Sequence, residues 1–246
     1  MNLEIAKKCD IGRIREKNQD YVDYVQLNSD EAFLLVCDGM GGHKAGEIAS
    51  KMTGEYIIKQ FLSHPDFENE GDIREYLMKI IQEVNYFVYD TANSNDSLKG
   101  MGTTIAVAYI NHDEVYICHV GDSRVYLIDD TIKLMTRDDT LVNLLVDSGA
   151  ISEFEARYHP QRNILLQAIG VSSPVSISYR KEKFTKEILL CSDGLYTSMS
   201  DERILELFND HDSMEEVADS LIDEANKNGG FDNIGVVVAR KENDYE

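Results

Sequence analysis

Four aspartates border short apolar runs that read as strands, and this recurrence constrains the fold more than any other feature of the chain. Val-Cys-Asp38-Gly39 and Cys-Ser-Asp193-Gly194 close such runs, Gly121-Asp122-Ser123 interrupts one, and Gly-Phe-Asp232-Asn233 opens the last. Taken singly, each is an ordinary turn residue. Together they predict carboxylates gathered at one edge of a sheet. Asp232 begins its strand whereas Asp38 and Asp193 end theirs, and antiparallel pairing sets the start of one strand beside the end of the next. Asp122 would reach the same edge from a tight hairpin. Carboxylates that close repel one another and resist ionising unless a cation neutralises them. Hard dications take oxygen ligands, so the pattern points to a two-metal site.

The remaining patterning builds a core around that edge. Residues 32–37 form a continuous apolar run, as expected of a strand buried on both faces. Residues 45–62 carry helical spacing, with Ile48, Met52, Tyr56 and Phe61 near one stripe. Asp72 is expected to cap a second long helix, where Ile73, Leu77, Ile80, Val84 and Val88 recur every three to four residues. Strands are expected at 103–110, 114–120 and 124–128, and their short connections imply antiparallel meanders. A helical segment near 141–147 and a polar stretch then leave the core as a flap. Further strands at 188–191 and 234–239 enclose two amphipathic helices at 201–209 and 213–226. Blocks of strands alternating with helix pairs suggest an α+β sandwich.

Composition narrows the function. The 246 residues include 43% hydrophobic side chains, enough for a sizeable core. The net charge of -21 argues against nucleic acid, because phosphate binding needs clustered Lys and Arg, and against anionic membranes. Most of that acidity serves solubility. Cys9, Cys37, Cys118 and Cys191 show no Cys-x-x-Cys spacing, so buried free thiols are expected rather than zinc ligands or disulfides. With no apolar signal core and no run near the roughly 18 residues of a membrane span, a cytoplasmic protein is expected.

Other residues add chemistry. In Asp38-Gly-Met-Gly-Gly-His43 the glycines let the backbone bend so that a carbonyl could also face a cation, and the Lys-Ser/Thr of a P-loop is missing. His43 alone is an ordinary loop histidine. Arg15 could hold a phosphate oxyanion bidentately, although an arginine in a charged segment is more often simply solvated. Gln19 and Asp20 add oxygen ligands nearby.

Six motifs in order resemble the metal-dependent Ser/Thr phosphatases of the 2C type, in their bacterial branch. They are Arg15-Glu-Lys-Asn-Gln-Asp20, Asp38-Gly-Met-Gly-Gly-His43, Gly102-Thr-Thr104, Gly121-Asp-Ser-Arg124, Cys191-Ser-Asp-Gly-Leu195 and Gly229-Gly-Phe-Asp-Asn233. The resemblance spans about residues 4–240. It implies one catalytic domain over 1–246, built as a four-layer α-β-β-α sandwich of two antiparallel sheets flanked by helices, with a flap at about 141–165. It implies two Mn²⁺ or Mg²⁺ ions, with Asp38 bridging both, the Gly39 carbonyl on one, and Asp193 and Asp232 on the other. Asp122 with Asp193 would fit a third metal position. Arg15 matches a phosphate-binding arginine, and Asp20 an acidic residue that orients metal-bound water.

Three positions depart from the family pattern. Gln19 replaces a common Glu, Met40 stands where eukaryotic members carry a histidine proposed as general acid, and Asp139 replaces a common His. The expected activity is hydrolysis of phosphoserine and phosphothreonine in proteins by a hydroxide bridging the two ions, without a phosphoenzyme. The expected partners are phosphorylated proteins and a cognate Ser/Thr kinase, and the expected state is a monomer. The alternative is a catalytically inactive module of the same fold that binds a phosphoprotein or kinase. Loss of Asp38, Asp193 or Asp232 would mark such a module, and all three are present. Within the enzymes, a hydrolase of small phosphate esters is the rival.

Overall fold

Alternation along residues 31–40 sorts the core. Phe33, Leu35 and Cys37 pack to one side of this strand, and Ala32, Leu34 and Val36 to the other. A strand covered on both faces has no polar side, which is why its sequence is an unbroken apolar run.

The computed structural model describes residues 2–41, 45–63, 67 and 69–242. In chain order come β1 (Asn2–Asp10), β2 (Asp20–Gln26), β3 (Glu31–Met40), α1 (Ala45–Leu62) and α2 (Glu70–Ser94). Next are β4 (Gly102–Thr103), β5 (Ile105–Asn111), β6 (Glu114–Val120), β7 (Arg124–Ile128) and β8 (Ile132–Leu134). Helices α3 (Leu141–Asp147) and α4 (Glu153–Tyr158) precede β9 (Ser178–Lys183) and β10 (Glu187–Cys191). The chain continues through α5 (Asp193–Tyr196), α6 (Asp201–Asp210), α7 (Met214–Lys227) and β11 (Ile234–Glu242).

Two antiparallel sheets result. One runs β1-β11-β10-β7-β8, and the other β2-β3-β5-β6-β9 with β4 paired to β3. Between them lie Leu34, Val36, Ala106, Val125, Ile188, Leu190 and Val237. Outside the second sheet, Phe33, Val107 and Tyr109 pack under α1 and α2 through Ile57, Phe61, Leu77 and Ile81. Outside the first, Tyr126, Leu189 and Val236 pack under α6 and α7 through Phe208, Val217 and Leu221. These are the four layers, helix, sheet, sheet and helix, expected from the sequence.

Several local expectations change. β6 and β7 do not form a hairpin, because they belong to different sheets. Gly121, at φ 102°, turns the chain across the end of the sandwich. A Cβ there would stand 2.7 Å from the Thr104 side chain, so only glycine fits the crossing. The second helix is capped by Asn69 rather than Asp72. The Asn69 side chain accepts from Gly71 N and Asp72 N, which leaves Asp72 in the first turn. The strand expected at 103–110 is interrupted at Thr104. Asp193 does not close β10, but begins α5 two residues past the strand's last residue.

Candidate active site

Strand geometry brings the four bordering aspartates to one end of the sandwich. Cys191 of β10 faces Val236 of β11, so the residues just past one strand lie beside those just before the other. The backbones approach so closely that a Cβ on Gly194 would stand 2.0 Å from the Asn233 carbonyl oxygen. This is how Asp193 and Asp232 meet. Asp38 arrives from the other sheet near the end of β3. Its N–H donates to Thr104 Oγ1 at 2.9 Å, and its carbonyl accepts from Thr104 N at 2.8 Å. Thr104 Oγ1 also bonds Ser123 Oγ at 2.7 Å, which joins β3 to the crossing that carries Asp122.

Arg15, Asp38, Gly39, Asp122, Asp193 and Asp232 line one cleft of about 290 Å³. Gln19, Met40, Thr104, Asn163, Leu165 and Asn233 are also in its walls. Arg15 reaches the cleft but spends its guanidinium on Asp232, Nη2 to Oδ2 at 2.6 Å. Asp20 is not in the lining. It pairs with Asp38 across β2 and β3 and stands behind it. Ser192 Oγ donates to Asp20 Oδ2 at 2.6 Å and accepts from Gly235 N at 2.8 Å. His43 lies outside the described residues.

The electrostatics follow from packing acids together. Burial is the largest effect on each, although Asp38 and Asp193 keep one edge toward the cleft. Asp38 is raised well above the usual carboxylate range, by burial and then by the charges of Asp20, Asp193, Asp122 and Asp232. Burial lifts Asp20 to about 8 against the stabilising bond from Ser192, with Asp193 and Asp232 adding to the rise. Asp122 rises to about 7 through burial and then Asp193. Asp193 rises to about 6 through burial and Asp232, moderated by Asp38 and by the cations Arg15 and Arg124.

The donor set fits hard dications. Asp38 feels the charges of Asp20 and Asp193, with Asp20 facing it across β2 and β3. Asp20 Oδ1 and Asp193 Oδ1 are buried without a partner among the described residues. No three described His, Cys, Asp or Glu side chains close into a ligand set by themselves. The donors that line the cleft are carboxylate and carbonyl oxygens, the ligands that hard dications take.

Other residues acquire roles that the sequence did not disclose. Asn233 Nδ2 donates to the carbonyls of Ile11 and Lys17, and its Oδ1 accepts from Gln19 N, so it staples the Arg15 loop to the start of β11. Its position beside Asp232 was the only available signal. Asp139, a departure without a sequence rationale, accepts from Gly121 N at 2.9 Å while its own N–H donates to the Gly121 carbonyl. It therefore ties the base of the 141–165 segment to the crossing turn. Arg124 stacks over Tyr196 at 3.6 Å and forks onto Asp138, while the Tyr196 hydroxyl donates to the Asp122 carbonyl. Asn163 and Leu165 reach the cleft from beyond α4, and no sequence signal marks them.

The protein phosphatase 2C family model matches residues 13–229. The serine/threonine phosphatase stp of Listeria welshimeri is 37% identical over 95% of this chain and 94% of its own. Among solved structures, the serine/threonine phosphatase Stp1 of Staphylococcus aureus superposes with a TM-score of 0.92 at 34% identity, covering 99% of this chain and 96% of that one. The catalytic domain of the phosphatase PstP in complex with two manganese ions gives a TM-score of 0.77 at 32% identity, covering 97% of each chain.

Proposed function

The chain belongs to the protein phosphatase 2C family and is a serine/threonine phosphatase, and from that premise we propose that it hydrolyses phosphoserine and phosphothreonine in proteins with two divalent cations and no phosphoenzyme. The observation that carries the proposal is the convergence of Asp38, Asp122, Asp193 and Asp232 with Arg15 in one cleft. Asp38, the Gly39 carbonyl, Asp193 and Asp232 would hold two Mn²⁺ or Mg²⁺ ions, and Asp122 with Asp193 a third. When bound, the dications supply an activated water at neutral pH and offset charge on the transferring phosphoryl group.

The chain's own residues do the rest. Arg15, half-exposed at the rim, turns from Asp232 to donate to the non-bridging phosphate oxygens. Asp20 acts from behind Asp38, with its unpaired Oδ1 available to a proton or a water. Ser192 fixes the opposite oxygen of Asp20. The described lining holds no serine, cysteine or histidine, which supports direct attack by water. Ser192 and Ser123 are consumed by Asp20 and Thr104, and burial pushes the Cys37 and Cys191 thiols far from thiolate. Met40 lines the cleft but cannot donate a proton, so the leaving hydroxyl takes its proton from water or another group.

Residues 1–246 form one catalytic domain in this reading, with 141–165 as a flap that lends Asn163 and Leu165 to the substrate side. No described helix is long and apolar enough to cross a membrane. We place the enzyme in the cytoplasm as a monomer, opposite a Ser/Thr kinase that shares its substrates. The test is phosphate release from a phosphothreonine peptide by metal-stripped protein, with and without Mn²⁺, wild type beside Asp193→Asn. Mn²⁺-dependent release lost in the variant supports the proposal. Equal release without metal sinks the two-metal reading, and p-nitrophenyl phosphate turnover without peptide turnover sinks the protein substrate.

A further inference from the structure

Away from the cleft, α1 and α2 leave an open groove of about 560 Å³ lined by Tyr56, Gln82, Glu83, Tyr86, Phe87 and Asp90. Tyr86 is 63% exposed and Phe87 46%, a large apolar display for the outer face of a helix. Phe87 stacks on Tyr56 with ring centroids 6.0 Å apart, and the Tyr56 hydroxyl donates to Glu83 Oε2 at 3.3 Å. Among the described residues, the side chains of Tyr86 and Asp90 make no hydrogen bond or ion pair. Lys79 stands one turn away, 4.0 Å from Glu83 Oε1, and none of the described residues that line the groove is a cation.

Elsewhere the same chain completes such ring and carboxylate sets with a cation. Arg124 lies over Tyr196 and is held by Asp138. Lys181 lies over Tyr116 and is held by Glu114 and Glu70, each at 2.7 Å. In the groove the rings and the carboxylates are present, but no described cation lies over the rings, and Glu83 has only Lys79 at 4.0 Å. A second copy of this chain, itself at net charge -21, would be repelled by Glu83 and Asp90. Charge complementarity therefore selects a basic occupant.

We infer that the groove between α1 and α2 docks a segment of a partner protein that carries arginine or lysine beside an apolar residue. Its cation sits over Tyr86 and Phe87 between Glu83 and Asp90, and its apolar neighbour covers the Tyr56 and Phe87 rings. The groove is joined to the phosphatase end by hydrogen bonds. Gln82 donates to Val175 O at 2.5 Å and accepts from Val175 N, and Asn85 binds Ser172 O and Gly170 N in the same way. That strip continues into Ile169, which pairs with Thr103 beside Asp38. The inference does not depend on the reaction, so its failure and the failure of the proposed chemistry are separable.

The test is fluorescence anisotropy at about 0.15 M salt, where exposed charges beyond about 8 Å are screened. The probe is a fluorescein-labelled, unphosphorylated peptide of alternating arginine and leucine, and a glutamate and leucine counterpart is the control. Binding of the basic peptide alone is expected, weakened about tenfold or more by Tyr86→Ala with Phe87→Ala, and by Glu83→Gln with Asp90→Asn. Asp210→Asn with Glu215→Gln, on the opposite helical layer, is expected to leave it unchanged. The changed side chains are on the surface, and an unaltered melting temperature confirms folding. No binding, or equal weakening by the remote pair, overturns the inference. So does a dimer in sedimentation that Tyr86→Ala with Phe87→Ala dissolves, because the occupant would then be a second copy.

Discussion

The midplane of the sandwich and its carboxylate end are built from the same strands, yet they solve opposite problems. At the midplane, Leu34, Val36, Leu190 and Val237 are fully buried and wholly apolar. A few residues along, β3, β10 and β11 lead to Asp38, Asp193 and Asp232 in a partly buried cleft where acids face acids. The midplane contributes stability by removing apolar surface from water. The end opposes folding when ionised, and this is the condition under which a dication binds well. Stability and function are thus separated along each strand by only a few residues.

The largest effect expected from breaking this contrast is at the carboxylate end. Asp38→Asn or Asp193→Asn should lower Mn²⁺-dependent turnover by at least about a thousandfold, because several kcal/mol of charge stabilisation are lost and each 1.36 kcal/mol is tenfold. Circular dichroism should show the fold intact. Retained turnover in either variant would remove that residue from the site. At the midplane the consequences invert. Leu190→Ala should cost about 2–5 kcal/mol in denaturant unfolding and leave kcat per folded molecule unchanged. A drop in kcat without lost stability would show that the two regions are not separate.

A smaller effect is expected at the rim. Arg15→Ala should raise KM for a phosphopeptide about tenfold with little change in kcat, as expected for a lost charge-assisted contact to phosphate. An unchanged KM would remove Arg15 from the phosphate. The smallest effect sharpens the electrostatic side. Asp20, Asp122 and Asp193 titrate near 8, 7 and 6 in the fold against about 3.9 in an unfolded chain. The folded state therefore holds extra protons. Their contribution is fully present below about pH 4 and is lost as pH rises through 6 to 8. In chelator, Asp38→Asn should melt above wild type, and the gap should widen from pH 5 to pH 8, by roughly 2–4 °C for each kcal/mol relieved. Saturating Mg²⁺ should close it. A gap that narrows with rising pH would contradict this packing of acids against one another.

Much of the fold was legible in the sequence, and its limits follow a physical rule. The apolar runs marked β3, β5, β6, β7, β10 and β11, which are the inner strands of the two sheets. The strands that the runs did not mark include the four edges, β1, β8, β2 and β9. Edge strands carry charge to discourage further pairing, as in Ser-Tyr-Arg-Lys-Glu-Lys of β9, and so lose the hydrophobic signature. Residue type and strand polarity likewise determined that Asp193 and Asp232 should meet, since an antiparallel neighbour begins where its partner ends, whereas Asp38 comes from the other sheet and joins them only through the packing of the two sheets. Only the tertiary structure decided that the Gly121 turn crosses between sheets, that Asp20 stands behind Asp38, and that Asn163 and Leu165 complete the cleft. Local patterning reports which side chains avoid water. Which sheet a strand joins, and which loop closes over its end, depends on contacts distant in sequence that no local pattern carries.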